Sequence, residues 1–274
     1  MRKADGFTRR QYNRPMTAAE RIALLAAVRE GTMSLEEADR LLTAVSPASA
    51  DLGFANVDLD RKRRCGFPEV VFGQGKTSEQ VLAIVQRIAE LGDGCLATRV
   101  SDDAAKLLAE NFVGGIDDRI AKTFWLKPQT PETEKGRVAV IAAGTSDLPV
   151  AKEAFNTCVA MGCRAELVVD VGVAGLHRIL AKRSLLEEQD ALVVVAGMEG
   201  ALPSVVGGLV AKPVIAVPTS VGYGASFEGV AALLGMLSSC AANVAVVNID
   251  AGFCGGYVAA LIARNARQPS EAEA

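Results

Sequence analysis

Residues 137–149 read Arg137-Val-Ala-Val-Ile-Ala-Ala-Gly-Thr-Ser-Asp-Leu-Pro149. An unbroken apolar run leads into a glycine, two hydroxyls and a carboxylate. That order predicts a buried strand over 137–142, a tight turn, and a helix over 147–161. The unit recurs downstream. Apolar runs at 165–170, 191–196, 213–217 and 244–249 alternate with helical segments at 174–183, 200–210 and 225–239, and a last helix covers about 254–266. Continuously apolar strands are those covered on both faces. Alternating strand and helix predicts an α/β fold with a doubly wound parallel sheet.

Before this region the character changes. Lys127-Pro-Gln-Thr-Pro-Glu-Thr-Glu-Lys-Gly136 carries two prolines and little apolar surface, so 127–136 reads as a linker. It divides a smaller α+β domain (1–126) from the α/β domain (137–266), with residues 267–274 as a disordered tail. The first domain opens with a helical pair. Thr17 and Glu20 form a capping box, Gly31 closes that helix, and Ser34 with Glu37 starts a second over Leu35–Leu42. Val45–Asn56 reads as a loop. A strand at Val70–Phe72, a helix over 78–91, a strand at Leu96–Val100 and a helix over 102–111 complete the unit.

Composition removes several function classes. The 274 residues are 50% hydrophobic, enough for a core without disulfide staples. A net charge of −3 and 5% aromatic content argue against a nucleic-acid groove or stacking platform. The six cysteines form no Cys-x-x-Cys pair, and the one histidine, His177, leaves no histidine-rich metal site or histidine-pair chemistry. Reduced thiols and the lack of a secretory signal predict a cytoplasmic protein. The basic opening MRKADGFTRRQYNRP contains Asp5 and no extended amphipathic pattern, so it reads as a flexible end rather than a transit peptide. The uncharged stretch between Glu228 and Asp250 is long enough to span a bilayer, but its pattern changes midway from helical to β-branched. A buried helix, a turn and a strand fit it better than a membrane span.

Four turns carry candidate chemistry. After the first strand, Gly144, Thr145, Ser146 and Asp147 read equally as a phosphate or ribose cradle and as a well-made helix cap followed by Pro149. After the second, Asp170 is placed to meet a ribose or orient a base, while His177 sits in helical context, where a lone histidine is more often structural. After the third, Glu199 is the only charge between Asp190 and Lys212. Its small apolar surroundings predict a raised pKa suited to proton transfer; the alternative is a carboxylate complementing the helix dipole. After the fourth, Gly222 and Gly224 permit close backbone approach, and Thr219 and Ser220 supply hydroxyls. All four fall at one edge of the sheet, where open α/β folds bind ligands. Cys240, at a helix–strand junction, reads as the nucleophile of this region. Gly73-Gln-Gly-Lys-Thr77 fails as a phosphate loop, because the required earlier glycine falls at Val70. Arg61, Arg63 and Arg64 read either as a solvated basic turn or as a phosphate clamp.

Together AAGTSDLPVAKEA, DVGVAGLHR, AGMEGALPSVVGGL, PVIAVPTSVGYGASFEGVAALLGML, Ser239-Cys-Ala241 and RCGFPEVVFGQGKTSEQV resemble the LarB family of nickel-pincer cofactor biosynthesis in the lactate racemase system. The second domain also resembles PurE, the purine carboxylase, although that enzyme's Ala-His-Leu-Pro is Gly200-Ala-Leu-Pro203 here. The resemblance implies a PurE-like α/β fold. It implies carboxylation of nicotinic acid adenine dinucleotide at carbon 5 of the pyridinium ring and cleavage of its phosphoanhydride. The products are pyridinium-3,5-biscarboxylic acid mononucleotide and AMP. It implies Cys240 as ring nucleophile, Glu199 as proton acceptor with Asp147 the next choice, and a phosphate held by Gly144, Thr145 and Ser146. Asp170, His177, Gly197, Met198, Thr219, Ser220 and Gly222 would lie near the nucleotide, and Arg64, Glu69 and Lys76 would reach the nicotinate side or a phosphate. CO2 or bicarbonate is the co-substrate, Mg2+ is compatible, no tightly bound cofactor is implied, and the assembly is a homo-oligomer, an octamer by analogy with PurE. The family pattern expects Asn-Ser-Cys where Ser238-Ser239-Cys240 stands, and Asn-Gly-Phe-Gly where Ala251-Gly-Phe-Cys254 stands. The competing readings are a purine-type aminoimidazole ribonucleotide carboxylase or mutase, and a nucleotide-binding regulatory protein without chemistry.

Overall fold

The computed structural model describes residues 18–44, 49–130 and 133–267. The capping box placed at Thr17 and the tail beyond Arg267 lie outside them. The chain opens with α1 (Ala18–Arg29) and α2 (Leu35–Ala44), which meet through Leu24 and Ala38. Gly31 takes φ +69° between them, and the Glu37 amide donates to Ser34 Oγ at 3.1 Å.

Where a loop was expected, β1 (Ser49–Asp51) and β2 (Asn56–Asp58) form an antiparallel hairpin. The Leu52 amide donates to the Ala55 carbonyl at 2.8 Å, and Gly53 supplies the left-handed turn. Then follow α3 (Arg61–Cys65), β3 (Val70–Phe72), α4 (Ser78–Ala89), β4 (Cys95–Thr98), α5 (Asp102–Asn111), β5 (Ile116–Asp118) and β6 (Thr123–Leu126). Their sheet has the order β3-β4-β6-β5, with β3 and β4 parallel and the other pairings antiparallel. β5 and β6 were not anticipated. β5 is a polar, largely exposed edge strand and carries no apolar run to read.

The second region is the predicted α/β fold. It runs β7 (Arg137–Ala142), α6 (Leu148–Ala160), β8 (Arg164–Val168), α7 (Leu176–Leu180), α8 (Arg183–Glu187), β9 (Ala191–Ala196), α9 (Leu202–Leu209), β10 (Val214–Pro218), α10 (Val230–Leu237), β11 (Val244–Val246) and α11 (Gly252–Ala266). All five strands are parallel, in the order β11-β10-β9-β7-β8. Side chains alternate across the sheet as strand geometry requires. Val138, Val140, Val193, Val195 and Val217 face α6 and α11, while Ile141, Leu192, Val194 and Val214 meet Ile179, Leu202, Val206 and Met236 on the other face. Gly256 lets α11 lie close on α6; a Cβ there would sit 2.4 Å from the Ala154 carbonyl oxygen.

Three elements differ from expectation. The helix read at 174–183 is a short 3-10 turn and α7, with α8 following. The helix read at 225–239 begins as a 3-10 turn, because Phe227 and Glu228 take left-handed φ of 44° and 53°. The last strand stops at Val246, three residues early, since it is an edge strand paired on one side only. Among the described residues no helix is long and apolar enough to cross a membrane.

Helix α6 fastens the two sheets together. Lys152 pairs with Asp118 at 2.7 Å, and the Asn156 amide donates to Asp118 (3.1 Å) and Thr123 (2.8 Å). Glu153, only 3% exposed, accepts both guanidinium bonds of Arg99 at 2.9 and 3.2 Å. Burial pushes the Glu153 carboxyl up, and Arg99 pulls against it. Arg99→Ala is therefore expected to leave a buried carboxylate without its partner and to cost about 3 kcal/mol, the low end for such pairs because Arg99 itself is partly exposed. Urea unfolding checks this; an unchanged midpoint would show that the pair carries no stability.

Candidate active site

The site is built from the turns that follow the parallel strands. After β7 the chain reverses at Gly144, and the Gly144 amide donates to Asp147 Oδ2 at 2.9 Å. Asp147 is 4% exposed. Its Oδ1 accepts the hydroxyl of Thr219, itself fully buried after β10, at 2.7 Å. The Gly197 amide after β9 also points at this carboxylate. One side chain thus ties the exits of β7, β9 and β10 together. Loss of water pushes the Asp147 carboxyl above its ordinary range; the Thr219, Gly144 and Gly197 donors pull it down, and the neighbouring Asp250 pushes it up.

Above this carboxyl lies a cleft of about 280 Å³, lined by Gly144, Ser146, Asp147, Gly172, Arg178, Gly197, Met198 and Glu199 among others. Gly197 has no room for a side chain: a Cβ would lie 2.2 Å from the Val221 carbonyl oxygen. Asp170, Met198 and Asp250, each just past a strand end, hold left-handed φ of 58°, 53° and 56°. Such conformations concentrate where a site imposes them.

The predicted residues divide into groups. Gly144, Ser146, Asp147, Gly197, Met198 and Glu199 line the cleft together. Thr219 supports it from below; Ser220 does not line the cleft, and its amide donates to Asp250 Oδ1 at 2.9 Å. Thr145 and Gly222 sit exposed beside it. Asp170 reaches the site through Arg178, paired with it at 2.7 Å. His177 is exposed on α7 and does not line the cleft. Glu199 is exposed rather than enclosed by its small neighbours; the buried carboxyl of the cleft is Asp147.

Cys240 is not brought to the cleft. It is exposed on the run from α10 into β11, and in a parallel sheet a helix-to-strand run heads for the amino edge, away from the strand exits. That run is fastened to α9. Ser239 Oγ meets Ser204 Oγ at 2.7 Å, and the Asn243 amide donates to the Gly207, Val210 and Lys212 carbonyls at 3.2, 3.1 and 2.9 Å. In the first sheet, Arg64 is paired with Asp58 and Asp60, and Glu69 accepts the Asp58 amide. Both belong to a corner near the amino end of β3. Lys76 lies instead at the carboxyl end of β3.

Sequence reading passed over Arg178, Asp250 and Arg99. Asp250 ends a strand run just as Asp170 does, so the same signal was available. Arg99 gave none, because its partners Glu153 and the Asp250 carbonyl are distant in sequence. Among the described residues Arg178, paired with Asp170, is the one cationic side chain on the cleft wall, which also carries Ser146, Met198, Leu202 and Val221. Among the described residues no group of three or more His, Cys, Asp and Glu side chains is placed to hold a metal.

Residues 137–273, the parallel sheet with its glycine-rich exits around a buried aspartate, match AIR carboxylase. Residues 49–129 match the LarB/PurE-like N-terminal domain, and with both domains in this order the chain belongs to the LarB family. An uncharacterised protein of Methanocaldococcus jannaschii is 40% identical over 250 residues, covering 88% of this chain and 96% of that protein. The N5-carboxyaminoimidazole ribonucleotide mutase of the same organism is 35% identical over 122 residues, 42% of this chain and 71% of the mutase.

The raised Asp147 sets a pH test. A carboxyl whose pKa is higher in the folded than in the unfolded state takes up protons on folding, so stability falls as pH rises from the unfolded value of 3.8 through the folded value. Asp147→Asn removes this dependence. Across that window the melting temperature of the variant should rise relative to wild type as pH increases; a parallel pair of curves would refute the raised value.

Proposed function

We propose that the protein carboxylates the pyridinium ring of nicotinic acid adenine dinucleotide at carbon 5 and hydrolyses its phosphoanhydride. Family membership supports a carboxylase-type enzyme, and the observation that carries the reading furthest is the cleft itself. It has a buried carboxyl of raised proton affinity at its floor, Arg178 on its wall and glycine-containing turns around it. The purine-type mutase has support from the similar M. jannaschii enzyme. Against it, Ala201 stands in the cleft wall where the purine pattern carries its histidine.

The electron flow is as follows. A pyridinium ring is electron-poor and does not attack CO2. A thiolate adding at carbon 4 forms a C–S bond and turns the ring into a neutral enamine with a nucleophilic carbon 5. Carbon 5 then bonds to CO2, the ring nitrogen regains its positive charge, and a base removes the proton from carbon 5. Departure of the thiolate restores the aromatic ring, with no net oxidation. Sulfur both attacks and leaves well, which suits Cys240. Asp147 is the better placed proton acceptor, because burial has raised its proton affinity. Glu199, at the mouth, serves the substrate's exposed side. Water then cleaves the phosphoanhydride to release AMP.

Because Cys240 lies outside the cleft of its own chain, this reading requires an assembly in which a second copy supplies the thiol. Leu234 and Leu237 of α10, and Tyr223 and Phe227 before it, are exposed and would supply apolar area for a second copy to cover.

Incubation with nicotinic acid adenine dinucleotide, bicarbonate and Mg2+ should yield AMP and a mononucleotide heavier by one carboxyl group. Cys240→Ser should abolish carboxylation, and Asp147→Asn should lower kcat by about 10²–10⁴-fold. Absence of both products sinks the proposal. Turnover of N5-carboxyaminoimidazole ribonucleotide that survives Cys240→Ser would establish the mutase reading instead.

A further inference from the structure

The two domains leave a cavity between them, remote from the cleft over Asp147. β3 and β4 start, and β6 ends, at one edge of the small sheet, because β4 is parallel to β3 and antiparallel to β6. The ends of α6 and α11 face that edge, and a cavity of about 290 Å³ opens between them. α6 begins directly after Asp147 and runs 13 residues, about 20 Å at about 1.5 Å per residue, so the cavity lies a helix length from the cleft floor. Neither Asp147 nor Arg64 nor Glu69 lines it.

Its walls are largely apolar. Phe67 and Pro68 come from the run into β3, Trp125 from β6, Pro128 from the linker, and Val159 and Ala160 from α6. Phe67 meets Tyr257 of α11 edge-on, with ring centroids 6.4 Å apart, which fixes that wall. Crevices between packed domains are favoured places for small ligands, and this volume has room for one ring rather than a nucleotide. The Lys127 ammonium, also on the wall, lies 5.7 Å from the Trp125 ring centroid and forms no ion pair among the described residues. Of the two carboxylates present, Asp93 is engaged by Lys62 at 2.9 Å, and Glu134 is exposed to water, which screens it. Cys163 offers no covalent chemistry here. Burial pushes its thiol up to about 11, and it donates to the Ala260 carbonyl at 3.7 Å.

We propose that this interdomain cavity binds a small planar aromatic carboxylate, its ring against Trp125, Phe67 and Pro68 and its charge on Lys127. The site is separate from the cleft over Asp147 and independent of the reaction proposed there. Because its walls come from both domains and from the linker, an occupant ties the three together.

Trp125 is the one tryptophan of the chain, so tryptophan emission reports on this wall. Titration of the full chain with benzoate as the probe should change that emission saturably. Benzamide, equally flat but uncharged, should bind about fivefold more weakly, the loss expected of one exposed charge contact. Lys127→Gln should bring benzoate down to the affinity of benzamide; Lys127 is exposed, so folding is retained. Ala160→Leu narrows the cavity and should abolish the response to both probes, with circular dichroism checking that this variant folds. Four results overturn the site: no saturable change in the wild type, equal affinity for the two probes, benzoate binding indifferent to Lys127→Gln, or undiminished binding by a folded Ala160→Leu chain.

Discussion

Everything at the carboxyl edge of the large sheet depends on one buried carboxylate. Asp147 receives the Gly144 amide, the Thr219 hydroxyl and the Gly197 amide, so three strand exits are fixed by a side chain that water scarcely reaches. Hydrogen bonds to a charged group contribute about 1.5–3 kcal/mol each. Even so, burial outweighs them and the proton affinity rises. An apolar residue of similar size would avoid the desolvation but would release all three turns. The position therefore trades stability for a defined cleft floor, and the same trade leaves a carboxyl whose proton affinity burial has raised.

A second constraint sits between the domains. Glu153 is buried on α6, the helix that starts directly after Asp147, and its charge is balanced by Arg99 from the end of β4. The Arg99 guanidinium reaches on to the Asp250 carbonyl, so the last turn of the large sheet is referenced to the small one. The Asp250 carboxylate in turn raises Asp147. A short chain of contacts thus runs from the end of β4 through Arg99 and Asp250 to the cleft floor.

The parallel sheet was legible because strands buried on both faces must be apolar throughout. β7 and β9 fall where their runs predict. The β1–β2 hairpin and the polar edge strand β5 were not, because their pairing is set by a turn and by a neighbour rather than by their own composition. Within the site, the glycine and hydroxyl turns were legible as helix starts following strands. The order of the two carboxylates was not. Small apolar neighbours suggested that Glu199 is enclosed, yet its turn lies at the surface, whereas Asp147 looked like an ordinary cap and is buried by Thr219, 72 residues away in sequence. Cys240 stands next to a strand in sequence, but the run from α10 into β11 approaches that strand at its amino end.

That last point shapes the chemistry. In one chain the thiol is exposed, Glu199 is exposed, Met198 holds a left-handed backbone at the surface, and Tyr223, Phe227, Leu234 and Leu237 present apolar area to water. The left-handed backbone and the exposed apolar side chains each carry a cost. In the proposed assembly they share one explanation. A second copy covering α10 removes the apolar stripe from water, strips water from Glu199, and brings a thiol to a cleft whose own wall supplies none. Covalent attack on a pyridinium ring requires that water be kept from the carbanion-like carbon while CO2 is added. A cleft open to solvent in the single chain does not meet that requirement and a cleft closed by a neighbour would, so the proposed mechanism calls for the proposed assembly rather than the isolated chain.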